Sequence, residues 1–172
     1  MESGESRWLP SLESWLTSNK GCQHTKAKFL FHGVMQLEGD VVGWLGSSST
    51  VRADFGCELK DYPLPIGSGG YGSVGQALML RRFVSQAYVA CAADGGPGWQ
   101  KLVGQHHSDH QPTCSALLRV LGIAPAIDFA GYLRVAGDLF RAFFGSLPLG
   151  LLIVEAKPGA TTVHEVVQPG SG

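Results

Sequence analysis

Residues 39–60 read G-D-V-V-G-W-L-G-S-S-S-T-V-R-A-D-F-G-C-E-L-K. Two strand-like segments, 39–46 and 51–61, flank a turn rich in serine and threonine. The second alternates cleanly. Val51, Ala53, Phe55, Cys57 and Leu59 fall on one side, and Arg52, Asp54, Gly56, Glu58 and Lys60 on the other. A period of two marks a half-buried strand with the first set facing a core. Closing a hairpin around residues 47–51 sets Asp40 opposite Glu58, Val42 opposite Gly56 and Trp44 opposite Asp54. Directly opposed side chains share a face, with Cβ atoms about 5 Å apart. Two carboxylates that close can ligate one hard cation through oxygen, and Lys60 lies two residues along on the same face. The plainer alternative is that such spacing arises by chance, with Glu58 and Lys60 forming a weak surface ion pair.

Working outward, residues 9–19 predict a short amphipathic helix, with Leu12, Trp15 and Leu16 on one side and Gly21 just past the end. Residues 28–37 predict a strand before the hairpin. Residues 63–72 are rich in Pro, Gly and Ser and read as a loop. Residues 73–84 look helical, and 86–93 (Q-A-Y-V-A-C-A-A) read as a buried, parallel central strand. Residues 95–98 break that strand, and 104–113 form a polar loop. Residues 114–121 and 127–144 look helical; in the latter, Phe129, Leu133, Ala136, Phe140 and Phe143 recur at three- and four-residue steps. Segments 151–157 and 161–167 predict a closing hairpin around Pro158-Gly159-Ala160. The whole is a mixed α/β domain, in which a three-stranded meander feeds a crossover helix into a further strand.

The chain has 172 residues, 44% hydrophobic and 16% charged, enough for one domain spanning 1–172 with a real core. With 13 basic and 14 acidic side chains, it is not a broadly basic nucleic-acid binder. A substrate-shaped surface, or a homodimer pooling basic patches, fits this balance better. The four cysteines, Cys22, Cys57, Cys91 and Cys114, are scattered, and Cys57 and Cys91 fall on core-facing positions. Both features favour a reducing compartment. The start M-E-S-G-E-S-R-W lacks the form of a signal peptide. The most apolar run, 147–154, is far short of the roughly 20 residues that span a bilayer. Together these predict a cytoplasmic protein without a membrane partner.

In this order the elements resemble the PD-(D/E)XK nuclease superfamily. A leading helix carries Glu13, and a strand opens G-D-V-V-G with Asp40. The next strand ends at Glu58-Leu59-Lys60. A helix follows with Gly75-Gln76, and then comes an apolar strand. The closing hairpin also looks like the peripheral strands of many members. Gly39 stands where the family name puts proline, at a position that shapes backbone and ligates nothing. The resemblance covers most of 9–94 as the core and, more weakly, the hairpin within a peripheral 95–167. It implies a restriction-endonuclease-like mixed sheet with an αβββαβ core flanked by helices. It also implies hydrolysis of phosphodiester bonds, in DNA, assisted by Mg²⁺ or Mn²⁺. Asp40, Glu58 and the Leu59 carbonyl would hold the ion, and Lys60 would orient or help deprotonate water. Glu13 and Gln76 would complete the site. The competing expectation is a nuclease-like domain that binds nucleic acid or protein without cutting.

Other signals compete. Residues 67–74 (G-S-G-G-Y-G-S-V) fit the kinase glycine-rich loop, yet no V-A-I-K or H-R-D-L-x-x-x-N follows, and the chain is too short for two lobes. The stretch therefore reads as a connection between strand and helix. Glu155-Ala156-Lys157 is a second E-x-K, but its upstream Asp138 falls in a helix, and the pair ends a strand at a turn where exposed charges are ordinary. His106, His107, His110 and Cys114 invite a zinc reading, which Pro112 and the lack of a second ligand cluster oppose. Arg81 and Arg82 point about 100° apart on a helix, so at most one could meet a phosphate.

Overall fold

The computed structural model describes residues 5–32, 37–60, 68–94, 129–157 and 159–170. A single 3₁₀ turn (Ser6–Trp8) leads into α1 (Leu9–Lys20). β1 (His24–Leu30), β2 (Glu38–Trp44) and β3 (Ala53–Lys60) follow, then α2 (Ser68–Leu80), β4 (Val84–Asp94), α3 (Phe129–Phe144), β5 (Leu149–Lys157) and β6 (Ala160–Val167). The six strands form one mixed sheet in sequence order. β3, β4 and β5 run parallel, and the other neighbours are antiparallel. The protein is thus α/β, and its first six regular elements run αβββαβ as expected.

Helices cover both faces of the sheet. On one face, Leu12, Trp15 and Leu16 of α1 pack with Val41, Phe55, Cys57, Leu59, Tyr88 and Leu152. On the other, Val74, Ala77 and Leu80 of α2 join Tyr132, Ala136, Leu139 and Phe140 of α3 over Val42, Val89, Leu151 and Ile153. This double cover corrects the half-buried reading of residues 51–61. In β3 only Asp54 and Lys60 retain partial exposure, because α2 lies over the side that alternation marks as outward. Gly56 makes the close approach possible: a Cβ there would meet Leu80 Cδ2 at 2.7 Å. The continuous apolar runs of β4 and β5 follow from the same double cover.

Several boundaries move. β1 runs His24–Leu30 where 28–37 was expected: it starts early because an edge strand half-buried on alternate residues can keep a polar H-T-K-A-K start, and Phe31, His32 and Leu37 lie outside it. α2 begins at Ser68, inside the stretch read as a loop. The interior glycines each cost about 1 kcal/mol of helix propensity, a weak prior that tertiary context overrides. Residues 68–74 of the kinase-like motif are therefore helical. The expected break at 95–98, loop at 104–113 and helix at 114–121 lie outside the described residues, as do His106, His107, His110 and Cys114. Gly21 ends α1 as expected, in the left-handed region at φ 73°, with its amide donating to the Leu16 carbonyl. No helix among the described residues is long and apolar enough to cross a membrane.

Gly150 marks the tightest packing between the central strands. A Cβ there would lie 2.5 Å from Tyr88 Cδ1 and 2.8 Å from the Val167 carbonyl oxygen. The Val167 backbone cannot yield without shifting β6. Gly150→Ala is expected to cost about 1–3 kcal/mol in urea unfolding. Gly46→Ala, where a Cβ meets nothing within 4 Å, serves as the neutral control.

Candidate functional site

The hairpin register is the one the alternation predicts. Val41 faces Cys57, Val42 faces Gly56 and Gly43 faces Phe55. Side chains lock both ends of the hairpin. At the loop end, the Leu45 amide donates to Asp54 Oδ2 at 2.8 Å, and Trp44 Nε1 donates to the Arg52 carbonyl at 2.8 Å. At the other end, the Leu59 amide donates to Asp40 Oδ2 at 2.7 Å. Asp40 and Glu58 thus lie side by side where β2 starts and β3 ends, 6% and 3% exposed.

Buried carboxylates this close repel each other, and low dielectric penalises their ionised forms. The Glu58 carboxyl is pushed up to about 8, first by burial and then by the charge of Asp40, against the pull of Lys60 and Lys28. Lys60 Nζ lies 3.7 Å from Glu58 Oε1 and 3.8 Å from Glu5 Oε1. Both separations exceed hydrogen-bond length, so charge holds this ammonium near the carboxylates without locking its orientation.

Two participants escape the sequence reading. Glu5, just ahead of the 3₁₀ turn, supplies the acidic group from the leading helical region, beside Lys60. Lys28, on β1, hydrogen-bonds Asp40 Oδ1 and lies 3.7 Å from Glu38 Oε1. Its register position is opposite Asp40, between the rungs Ala27–Val41 and Phe29–Gly39. Burial would lower the Lys28 pKa, yet the hydrogen bond and charge of Asp40, with Glu38 and Glu5, leave it raised. Lys28 also takes φ 50°, the positive-φ conformation that no other non-glycine among the described residues adopts. For an L-residue within a strand this costs about 1–2 kcal/mol, and such outliers concentrate at functional sites. A lysine on a polar edge strand carries no local sequence signal of either feature; only the β1–β2 register would have exposed it.

Other expected participants are not drawn in. Glu13 lies on α1 and is half-buried, and Gln76 is exposed on α2. Among the described residues, no hydrogen bond or ion pair joins either to Asp40, Glu58 or Lys60. Arg81 donates to the Val84 carbonyl, and Arg82 is exposed. Asp138 is exposed on α3 and pairs with Arg141. Glu155 departs from the exposed reading: it is 2% exposed and 2.7 Å from His164 Nε2. His164 lines a groove of about 570 Å³ between α1 and α3 along β6, with Trp15, Arg134, Arg141 and Glu165. The groove's charges are largely matched internally. Glu165 receives Lys20 and the Tyr88 hydroxyl, and Arg141 pairs with Asp138. The buried, mutually repelling carboxylates lie elsewhere, at Asp40 and Glu58.

Among the described residues, no group of three or more His, Cys, Asp and Glu side chains is placed to hold a metal ion. Asp40 and Glu58 form a pair, with the Leu59 carbonyl adjoining in sequence as a third oxygen. That donor set suits a hard cation. So does the charge: once Glu58 ionises, the carboxylates of Glu5, Glu38, Asp40 and Glu58 outnumber the ammoniums of Lys28 and Lys60 by two. No protein-family model matches the chain, and neither do curated proteins nor solved structures.

Proposed function

We propose that the protein is a metal-dependent nuclease of PD-(D/E)XK type that hydrolyses phosphodiester bonds in DNA. The observation that carries the reading is the buried Asp40–Glu58 pair, in which burial and then the charge of Asp40 push the Glu58 carboxyl up to about 8, with Lys60 beside it. Carboxylates whose ionisation is opposed by burial and by a neighbouring like charge cluster at functional sites. The restriction-endonuclease-like character of the fold is part of the proposal, supported by the αβββαβ order and by the site at the β2–β3 end.

In this reading the Asp40 and Glu58 carboxylates and the Leu59 carbonyl would hold Mg²⁺ or Mn²⁺. The bound ion would supply Lewis-acid polarisation of water and phosphate. Lys60 Nζ orients the attacking water and donates to charge building on the phosphate oxygens. Glu5, 3.8 Å from Lys60 Nζ, places a negative charge beside that ammonium and completes the site from the leading helical region, the place the resemblance gave to Glu13.

One observation favours the non-cutting alternative. Lys28 already engages Asp40, as a cation would in a site that no longer binds metal. The test is cleavage of supercoiled, linear, branched and single-stranded DNA with Mg²⁺ or Mn²⁺. EDTA should abolish cutting, and Lys60→Met should slow it about 10²-fold or more with the fold unchanged. If purified protein cuts none of these substrates with either metal, the enzyme reading fails and the binding-domain reading takes its place.

A further inference from the structure

Lys28 joins three observations that the nuclease reading does not use. It is the residue opposite Asp40 on the neighbouring strand. Its backbone holds a conformation unfavourable for an L-residue. Its ammonium hydrogen-bonds Asp40 Oδ1, while Oδ2 receives the Leu59 amide. Both carboxylate oxygens of Asp40 therefore carry a donor, and one donor is a full positive charge. Lys28 is also 42% exposed along its side chain, so its head group has solvent to move into.

We infer that Lys28 is a resident counter-ion at the metal site, whose ammonium holds the cation position at Asp40 and must leave before a divalent ion is bound there. This rests on the metal-site reading above and adds a regulator to it. A dication on Asp40 and an ammonium on the same carboxylate would repel, an effect that solvent around the partly exposed lysine weakens without removing. The Asp40–Lys28 pair therefore competes with metal and lowers its affinity. The chain trades affinity for a buried carboxylate that remains neutralised when divalent ions are scarce. Glu38, 3.7 Å from Lys28 Nζ, offers the departing ammonium a second, more exposed partner.

The test is Mn²⁺ binding to the full chain, followed by the electron-paramagnetic signal of free Mn²⁺. Lys28→Met removes the charge. Lys28→Gly removes it in a residue that tolerates positive φ, which guards against a folding defect in the first variant. Both should bind Mn²⁺ about ten-fold more tightly than the native chain, whereas Lys28→Arg, which keeps the charge, should stay close to native. Glu58→Gln identifies the site by losing the bound ion. Equal or weaker binding in both neutral variants, with Glu58→Gln still losing Mn²⁺, overturns the counter-ion role and leaves the metal site standing. If neither the native chain nor the neutral variants bind Mn²⁺, the metal-site reading falls, and this inference with it.

Discussion

Glu58→Gln is expected to abolish metal-dependent cleavage and, above pH 8, to make the protein more stable. The two effects share one cause. An unfolded chain ionises Glu58 near 4.5, whereas the folded protein resists ionisation until about 8. Below 4.5 the carboxyl is protonated in both states and contributes nothing. Between the two values the folded state keeps a proton that the unfolded state has lost, so stability falls as pH rises. Above 8 both states are ionised and the penalty is constant. Its ceiling is roughly 5 kcal/mol at 1.36 kcal/mol per unit, reduced by any water that reaches the site. Glutamine fills nearly the same volume without a charge. Urea unfolding in EDTA should therefore show the native chain losing stability from about pH 5 to about pH 9, with a much flatter profile in the variant. Cleavage in excess Mg²⁺ should fall about 10³-fold, the scale on which losing one element of charge stabilisation acts. A variant less stable than native at about pH 9 would make Glu58 an ordinary structural carboxylate.

How much of this was legible in the sequence depended on how locally each feature is encoded. The β2–β3 register could be read because one short turn and one alternating strand determine it, and the observed rungs are those expected. The strands β4 and β5 were legible because burial on both faces leaves a continuous apolar run. What escaped depends on contacts distant in the chain. That the polar-looking face of β3 is buried follows from Leu80 of α2 packing on Gly56, and no periodicity within β3 shows it. Lys28 and Glu5 reach the site from β1 and from ahead of α1. Each is an unremarkable charged residue until the register places it. Glu13 stands out in the sequence only because helix position stands in for distance, and the acid that arrives is Glu5, eight residues earlier in the chain. Glu155 differs for a related reason: a charge next to a Pro-Gly turn reads as exposed, yet it is buried against His164 of β6.

Asp40→Ala is expected to abolish cleavage as fully as Glu58→Gln, with the opposite effect on stability. Asp40 is wired into the fold where Glu58 is not. Its Oδ2 takes the Leu59 amide at the end of the β2–β3 ladder, and alanine leaves that buried donor without its acceptor, at about 1–3 kcal/mol. The lost pair with Lys28 adds at most about 1 kcal/mol, because the lysine is well exposed and screened. Against this, Glu58 loses a repelling neighbour. Its carboxyl should come down from about 8, though not to its ordinary value, because burial is the larger cause and remains. The relief exists only where Glu58 would ionise. Asp40→Ala should therefore show its full cost at about pH 5 and a smaller one at about pH 9. Asp40→Asn, which keeps an oxygen for the Leu59 amide, should recover much of the stability and none of the cleavage. Because the two carboxylates repel, the double variant Asp40→Ala/Glu58→Gln should be non-additive in stability at high pH and additive at low pH. Unfolding of the four chains at both pH values measures that coupling directly. A coupling near zero at high pH would mean that Asp40 and Glu58 do not share one field, and the case for a shared divalent ion would lose its basis.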